Sequence, residues 1–372
     1  MSTKRILIAA GGTGGHVYPA IAIADALSEL DESVEFLFVG TRDRMEWEAV
    51  PKAGYDIKPI WISGFHRRLT FQNVLFPVKL LVSLKQSRRI IKDFQPDIVL
   101  SCGGFAAGPV GWAAARKGIP VVIQEQNSFP GWTNRKLGSK ATRIYTAFEE
   151  AEKYFDQERV RPLGNPVRAD LSKSDRDEAA RIWNLEPQEN TLLILGGSGG
   201  ARTINRAVIR HLHRLHDELG LQFIWQCGKN YYEQIIEEIN PVDYSRLRLQ
   251  PFIDDMSSSY AMADLAVSRA GAISCAELKL TGTPSLIIPS PNVAGDHQTK
   301  NANELVTKGA AQILRDEEAE EKLADRVAEL FEHRDRITKM RKSAKELARP
   351  EAARNIAEDM LTLITSQEPA QA

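Results

Sequence analysis

Ile6-Leu7-Ile8-Ala9-Ala10-Gly11-Gly12-Thr13-Gly14-Gly15-His16 is the stretch on which the fold turns. Its first five residues are apolar without interruption, as a parallel strand covered on both faces requires. Glycines stop the run, and a helical pattern follows from Pro19 through Leu30. The same order recurs far along the chain. Thr191-Leu192-Leu193-Ile194-Leu195 leads into Gly196-Gly197-Ser198-Gly199-Gly200 and then a helical run over 201–215. Short apolar runs at 34–39, 98–101, 121–124, 223–226, 265–268 and 285–289 alternate with amphipathic stretches, the signature of parallel strands joined by crossover helices. This predicts an α/β protein of two Rossmann-like, doubly wound parallel-sheet domains facing across a cleft.

A chain of 372 residues suits two such domains. Residues 1–164 form the expected N-terminal lobe and 165–348 the C-terminal lobe. Residues 349–372 form a last helix, able to return to the N-terminal lobe, and a tail. The charged stretch over 317–345 reads as helical, with Pro350 breaking it. At 43% hydrophobic and 26% charged, with a formal net charge of -1, the composition is that of a globular protein and gives no basic surface for nucleic acid. Cys102, Cys227 and Cys275 are widely spaced and odd in number, which suits a reducing cytosol and suggests neither a disulfide framework nor a CxxC metal site. No apolar run reaches the length of a membrane span, so any meeting with a membrane is expected from the side.

A strand that ends in glycines and enters a helix presents backbone N–H groups and the positive helix end to a diphosphate. The glycine spacing is not that of a dinucleotide site. From Gly12 the third glycine position holds Val17, and from Gly197 it holds Arg202. A glycine turn can also be punctuation alone, but two of them point to two phosphate-bearing ligands.

Gly11-Gly12-Thr13-Gly14-Gly15-His16 with Pro19-Ala20 resembles the opening motif of the MurG family of bacterial lipid-intermediate N-acetylglucosaminyltransferases. The resemblance continues in order through Gly103-Gly104-Phe105, Glu125-Gln126-Asn127, Gly164-Asn165-Pro166-Val167-Arg168, Gly196-Gly197-Ser198 and Phe252-Ile253-Asp254-Asp255-Met256. It ends with Ser268-Arg269-Ala270-Gly271-Ala272 and Glu277, then Asp296-His297-Gln298 with Asn301-Ala302. Each string is weak alone; the ordered set spans nearly the whole chain. The resemblance implies an inverting transfer of N-acetylglucosamine from UDP-N-acetylglucosamine to the 4-hydroxyl of the muramyl sugar of undecaprenyl-diphosphate-linked muramyl pentapeptide, with no cofactor and no metal. Asp175-Arg176-Asp177 spells a metal-binding pair but reads as a solvated helix start.

On the donor side the resemblance implies that Arg168 contacts the diphosphate, a task suited to a fork-shaped permanent cation. Ser198 and its loop would hold phosphate. The small-residue segment Ala272, Ile273, Ser274, Cys275 and Ala276 would bring a helix start against the pyrophosphate, Glu277 would accept from the ribose hydroxyls, the Ile253 backbone would read the uracil edge, and Gln298 would hold sugar hydroxyls. On the acceptor side Thr13, Gly14 and Gly15 are the expected diphosphate cradle. His16 can take a proton from the attacking hydroxyl, bond the loop or bind phosphate, and its residue type leaves these open. Glu125 is a second candidate base, and Asn127 resembles a cleft-lining residue. Two departures stand out: Gln124 where the family usually has histidine, and Phe105 where it often has tyrosine.

From residue 64 to residue 92 the chain carries Arg67, Arg68, Lys79, Lys85, Arg88, Arg89 and Lys92 with no acidic residue, interleaved with Phe65, Leu69, Phe71, Val74, Leu75, Phe76, Leu80, Leu81 and Leu84. This is either a core helix with a basic solvent face or a patch for an anionic membrane surface. The second choice fits a lipid-linked acceptor and implies a peripheral protein at the cytoplasmic face of the bacterial plasma (inner) membrane. The rivals are another two-lobed UDP-N-acetylglucosamine enzyme, such as a 2-epimerase or a soluble-acceptor transferase, a non-catalytic sugar-nucleotide-binding regulator, and a nicotinamide oxidoreductase.

Overall fold

The computed structural model describes residues 3–64, 71–168, 170–197 and 199–366, apart from the side chains of 71–74 and 294. The chain divides into two compact units: Met1–Val167 with Glu351–Ala372, and Arg168–Pro350.

The first unit is built on a seven-stranded sheet of β1 (Arg5–Ala9), β2 (Glu35–Gly40), β3 (Ile57–Pro59), β4 (Ile98–Ser101), β5 (Val121–Glu125), β6 (Arg143–Thr146) and β7 (Val160–Arg161), in the order β3-β2-β1-β4-β5-β6-β7. The second carries six: β8 (Thr191–Leu195), β9 (Gln222–Gln226), β10 (Leu247–Gln250), β11 (Leu265–Ser268), β12 (Ser285–Ile287) and β13 (Ala311–Ile313), ordered β10-β9-β8-β11-β12-β13. All the pairings are parallel. Ile6, Leu7 and Ile8 are fully buried, with Ile6 and Ile8 in one core cluster and Leu7 in the other, so both faces of β1 are covered by helices. That is why the run has no polar alternation.

The helix after the first glycine loop spans Gly14–Leu30 and begins earlier than the apolar periodicity implies, because its first turn is glycine. Pro19 lies inside it and cannot donate to the Gly15 carbonyl. The last helix, Ala352–Thr365, packs on it through Ile356, Ala357, Met360 and Ile364. Tyr145 Oη donates to Asp359 at 2.8 Å and pins it. Each large apolar side chain so buried contributes about 1.5–3 kcal/mol.

The charged stretch over 317–345 is helical in two pieces, Asp316–Glu332 and Arg334–Glu346, broken at His333. The first buries Leu323, Val327 and Leu330 against the helix Arg202–His213, while the second lies on the helix Ala272–Thr281, and one straight rod cannot serve both neighbours.

Candidate active site

In both sheets the winding reverses beside the first strand of the unit. From β1 the chain moves outward to β2 and β3, then returns to β4 on the other side; from β8 it moves to β9 and β10, then returns to β11. Crevices outside the carboxyl ends of strands at such reversals are where ligands bind in open α/β sheets. The two glycine turns leave β1 and β8, and Gly103-Gly104 and Arg269-Ala270-Gly271 leave β4 and β11.

In the first unit the turns are fitted backbone to backbone. A side chain on Gly104, at φ +81°, would collide with the Gly11 carbonyl. One on Gly103 would lie 2.5 Å from Cδ2 of His16, so the imidazole rests on that glycine. Thr13 precedes the helix with extended backbone, and its Oγ1 lies 3.2 Å from His16 Nδ1. Gly14 and Gly15 occupy the first turn, where N–H groups lack intrahelical acceptors.

Glu125 is 2% exposed. Its Oε1 accepts from Asn127 N–H at 3.0 Å, and its Oε2 from Asn134 Nδ2 at 2.8 Å and Gly131 N–H at 3.3 Å. Burial raises its pKa against these donors. A general base needs a lone pair turned to its substrate. In this structure Glu125 holds the turn carrying Asn127. Gln124 is wholly buried and donates through Nε2 to Asn165 Oδ1 at 2.9 Å, and Asn165 Nδ2 donates to the Gln126 carbonyl at 2.9 Å. The amide therefore joins β5 to Asn165 and moves no proton. Phe105 is 41% exposed, its ring against Gly64.

In the second unit the helix Ala272–Thr281 starts at Gly271 without a side-chain cap. Its half-exposed face carries Ile273, Ser274 and Glu277, spaced so that the early N–H groups and the carboxylate share one side. Cys275 and Ala276 do not belong to that set. Cys275 is fully buried and its N–H donates to the Gly271 carbonyl, and Ala276 is a buried residue beyond the first turn. Asn301, also buried, donates to the Ala270 carbonyl at 3.1 Å, and Arg269 bonds the Ile288 carbonyl at 2.9 Å and pairs with Asp316.

Tyr260 Oη donates to Glu277 Oε2 at 2.9 Å. Loss of water pushes the Glu277 carboxyl up to about 7, with Tyr260 and the Arg168 guanidinium pulling the other way. Arg168 thus stands close enough for its charge to be felt at Glu277. Gln298 accepts the Ser290 N–H through Oε1 at 2.8 Å, leaving its NH2 as the donor for a sugar hydroxyl. The Ile253 N–H is taken by Gln226 Oε1 at 2.9 Å, so only the Ile253 carbonyl is left for a base edge. Ser198 lies outside the described residues. Asp175 caps the helix Arg176–Trp183 by accepting from Glu178 N–H at 2.9 Å.

Sequence reasoning missed Glu46, Gln226 and Tyr260. Gln226 Nε2 donates to the Gly197 carbonyl at 3.0 Å while its Oε1 holds Ile253, so one amide ties the glycine turn to the base-edge segment. Nothing in a lone glutamine at a strand end signals this. A buried polar residue closing β9 is its only trace.

Of the basic-apolar segment, Phe65, Arg67, Arg68 and Leu69 lie outside the described residues, as do the side chains of Phe71 and Val74. The helix Phe71–Phe94 exposes Val78, Leu80 and Leu81 near one end and Lys85, Arg88, Arg89 and Lys92 along the rest. Leu75, Phe76 and Leu84 are half-buried, and Lys79 lies over the half-exposed ring of Trp61, 5.8 Å from its centroid. Among the described residues no helix is long and apolar enough to cross a membrane.

Residues 6–146 match the glycosyltransferase family 28 N-terminal domain and residues 191–358 its C-terminal domain. The UDP-N-acetylglucosamine--N-acetylmuramyl-(pentapeptide) pyrophosphoryl-undecaprenol N-acetylglucosamine transferase of Christiangramia forsetii is 45% identical, covering 98% of each chain. The crystal structure of Acinetobacter baumannii MurG superposes with a TM-score of 0.75 at 30% identity, covering 96% of this chain and 99% of that one. A UDP-GlcNAc 2-epimerase from Neisseria meningitidis, bound to UDP-GlcNAc, reaches a TM-score of 0.66 over 96% of this chain and all of its own, but at 15% identity it shares the fold alone.

Proposed function

Because the chain belongs to glycosyltransferase family 28, among its MurG-type N-acetylglucosaminyltransferases, we propose that its two winding reversals hold the two substrates of one sugar transfer. N-acetylglucosamine passes from UDP-N-acetylglucosamine to the muramyl sugar of undecaprenyl-diphosphate-linked muramyl pentapeptide, which converts lipid I to lipid II. The donor belongs to the second unit and the lipid-linked acceptor to the first.

On the second unit the diphosphate meets Arg168, Ser198 with the glycine turn, and the first-turn N–H groups that include Ile273 and Ser274. Preorganised donors of this kind are worth about 3 kcal/mol each when charge builds on the leaving group. Glu277 accepts from the ribose hydroxyls, and Gln298 donates to the transferred sugar. The Ile253 carbonyl accepts from N3–H of uracil, an atom that carries no hydrogen in cytosine.

On the first unit Gly14 and Gly15 face the acceptor diphosphate. The 4-hydroxyl oxygen attacks the anomeric carbon, the bond from that carbon to the UDP oxygen breaks, and the configuration inverts in one displacement. His16 takes the hydroxyl proton. In the tautomer whose Nδ1–H donates to Thr13 Oγ1, Nε2 carries the lone pair this needs. Asn127, held by Glu125, lines the acceptor side.

The apolar and basic exposed face of Phe71–Phe94 supports peripheral contact with an anionic membrane at its cytoplasmic surface, where a lipid-linked acceptor is found. The observation that carries the reading of two substrate sites is that each glycine turn leaves the strand at which its sheet reverses. The test is UDP release with and without a short-chain polyprenyl-diphosphate muramyl pentapeptide. Release that depends on the acceptor is expected. Acceptor-independent consumption of UDP-N-acetylglucosamine, or donor binding without release, would point to an epimerase or a regulator instead.

A further inference from the structure

Glu46 is a fully buried carboxylate that the transfer reaction leaves unassigned. Its Oε1 accepts the Thr41 N–H at 3.0 Å and the Thr41 hydroxyl at 2.9 Å, and its Oε2 accepts the Gly12 N–H at 3.0 Å. The carboxyl group lies against Gly11, where a Cβ would come within 2.5 Å of its Oε1, and the Glu46 stem lies against Gly40, where a Cβ would come within 2.6 Å of its Cγ. Those two glycines are small because Glu46 is there. The carboxylate therefore joins the end of β2 to the first glycine turn from beneath.

An N–H that faces a carboxylate is withdrawn from a ligand. Gly12 sits at φ +94°, a conformation that favours glycine, with its N–H taken by Glu46, and the first-turn N–H groups of Gly14 and Gly15, which lack intrahelical acceptors, are the donors left to the turn. Two effects of Glu46 on a phosphate-bearing ligand oppose each other. Its charge repels the ligand, while its bonds fix the turn that receives it.

We propose that Glu46 is a positioning residue for the lipid-linked acceptor, and that its hold on the turn outweighs its charge. The proposal rests on the acceptor diphosphate sitting at this turn. An amide at position 46 preserves volume but sets an NH2 against either the Gly12 N–H or the Thr41 N–H. Donor then faces donor, and the turn must open.

The two effects predict opposite signs in Glu46→Gln. If charge dominates, the KM for the acceptor falls. If positioning dominates, it rises, and we expect about tenfold or more, with the KM for UDP-N-acetylglucosamine within about twofold of the parent. Steady-state kinetics with the short-chain acceptor read both, and the rise in melting temperature on adding UDP checks that the second unit is intact. Thr41→Val removes one hydroxyl donor and keeps the carboxylate. It should shift the acceptor KM the same way by a few fold, and it replaces Glu46→Gln if that variant does not fold.

Gly15→Ala tests the seat itself, because a methyl there meets nothing closer than Thr13 Oγ1 at 3.7 Å and would stand in the ligand's way. A raised acceptor KM in both Glu46→Gln and Gly15→Ala is the expected result. If Gly15→Ala raises it and Glu46→Gln does not, the role of Glu46 is overturned and the seat stands. If neither moves it, the seat falls and the proposal with it. An effect of Glu46→Gln without one of Gly15→Ala, a lowered acceptor KM, or donor and acceptor KM rising together would also overturn it.

Discussion

The two glycine turns follow equivalent strands but are braced with opposite polarity. Behind the first, a carboxylate takes a backbone N–H, that of Gly12. Behind the second, an amide NH2 gives to a backbone carbonyl, that of Gly197. The first brace removes a donor from the turn and sets a negative charge beneath it. The second occupies an acceptor and adds no charge. A turn of the second kind suits a nucleotide whose diphosphate is the principal handle. A turn of the first kind suits a ligand that reaches the protein with much of its binding supplied elsewhere, as a lipid held in a membrane is. Similar sequence strings therefore need not have equal affinity for phosphate.

The sharpest way to break this contrast is at the donor cation. Arg168→Ala should lower kcat/KM by about 10²- to 10³-fold, the scale of one preorganised charge-stabilising contact, with most of the loss seen for UDP-N-acetylglucosamine. A loss confined to acceptor KM would reverse the assignment of the two turns. Next comes the neutral brace. Gln226→Leu strands the Gly197 carbonyl and the Ile253 N–H, at about 1–3 kcal/mol each. UDP affinity by calorimetry should fall about 10- to 100-fold, and the preference for UDP over CDP should narrow.

Glu277 sharpens the contrast through pH. Its carboxyl rises from 4.5 to about 7 in the folded protein, so between those values the folded chain holds more protons than the unfolded one. Its contribution to stability is complete below about pH 4.5 and is lost as pH rises through 7. Glu277→Gln should flatten that decline in thermal unfolding without ligand. Under the proposed role of Glu277 at the ribose hydroxyls, UDP favours the ionised carboxylate, and its affinity should weaken by up to about tenfold per pH unit below 7. Glu277→Gln supplies the baseline for the nucleotide's own ionisation, and an equal pH slope in the variant would remove Glu277 from the ribose site. A separate effect is expected at the membrane. Neutralising Arg88 and Arg89 should weaken sedimentation with anionic vesicles about 5- to 30-fold at low salt, at roughly 1 kcal/mol per charge. Unchanged sedimentation would remove this face as the contact.

Most inner strands were legible because burial on both faces strips them of polar residues, as in β1 and β8. The inner strand β6, four residues opening on Arg143, and the four edge strands, β3, β7, β10 and β13, were not. Lys58, Arg161, Arg248 and Gln312 interrupt the edge strands, because an edge that meets solvent tolerates charge and blocks further pairing. The glycine-turn and helix-start motifs were readable as strings, but the groups that hold them were not. Glu46 and Gln226 lie 34 and 29 residues from the glycines they brace, and Tyr260 lies 17 from Glu277. No local spacing rule spans such separations. Cys275 shows the converse: membership in a motif placed it at the site, while its place on the helix turned it into the core.

The last helix, Ala352–Thr365, completes the first unit although the whole second unit is encoded before it. During synthesis the apolar stripe of Gly14–Leu30 stays uncovered until residues 356–364 leave the ribosome, by which time the second unit is already made. The first unit is therefore finished last, and the nascent chain carries a greasy, unfinished surface for most of its translation.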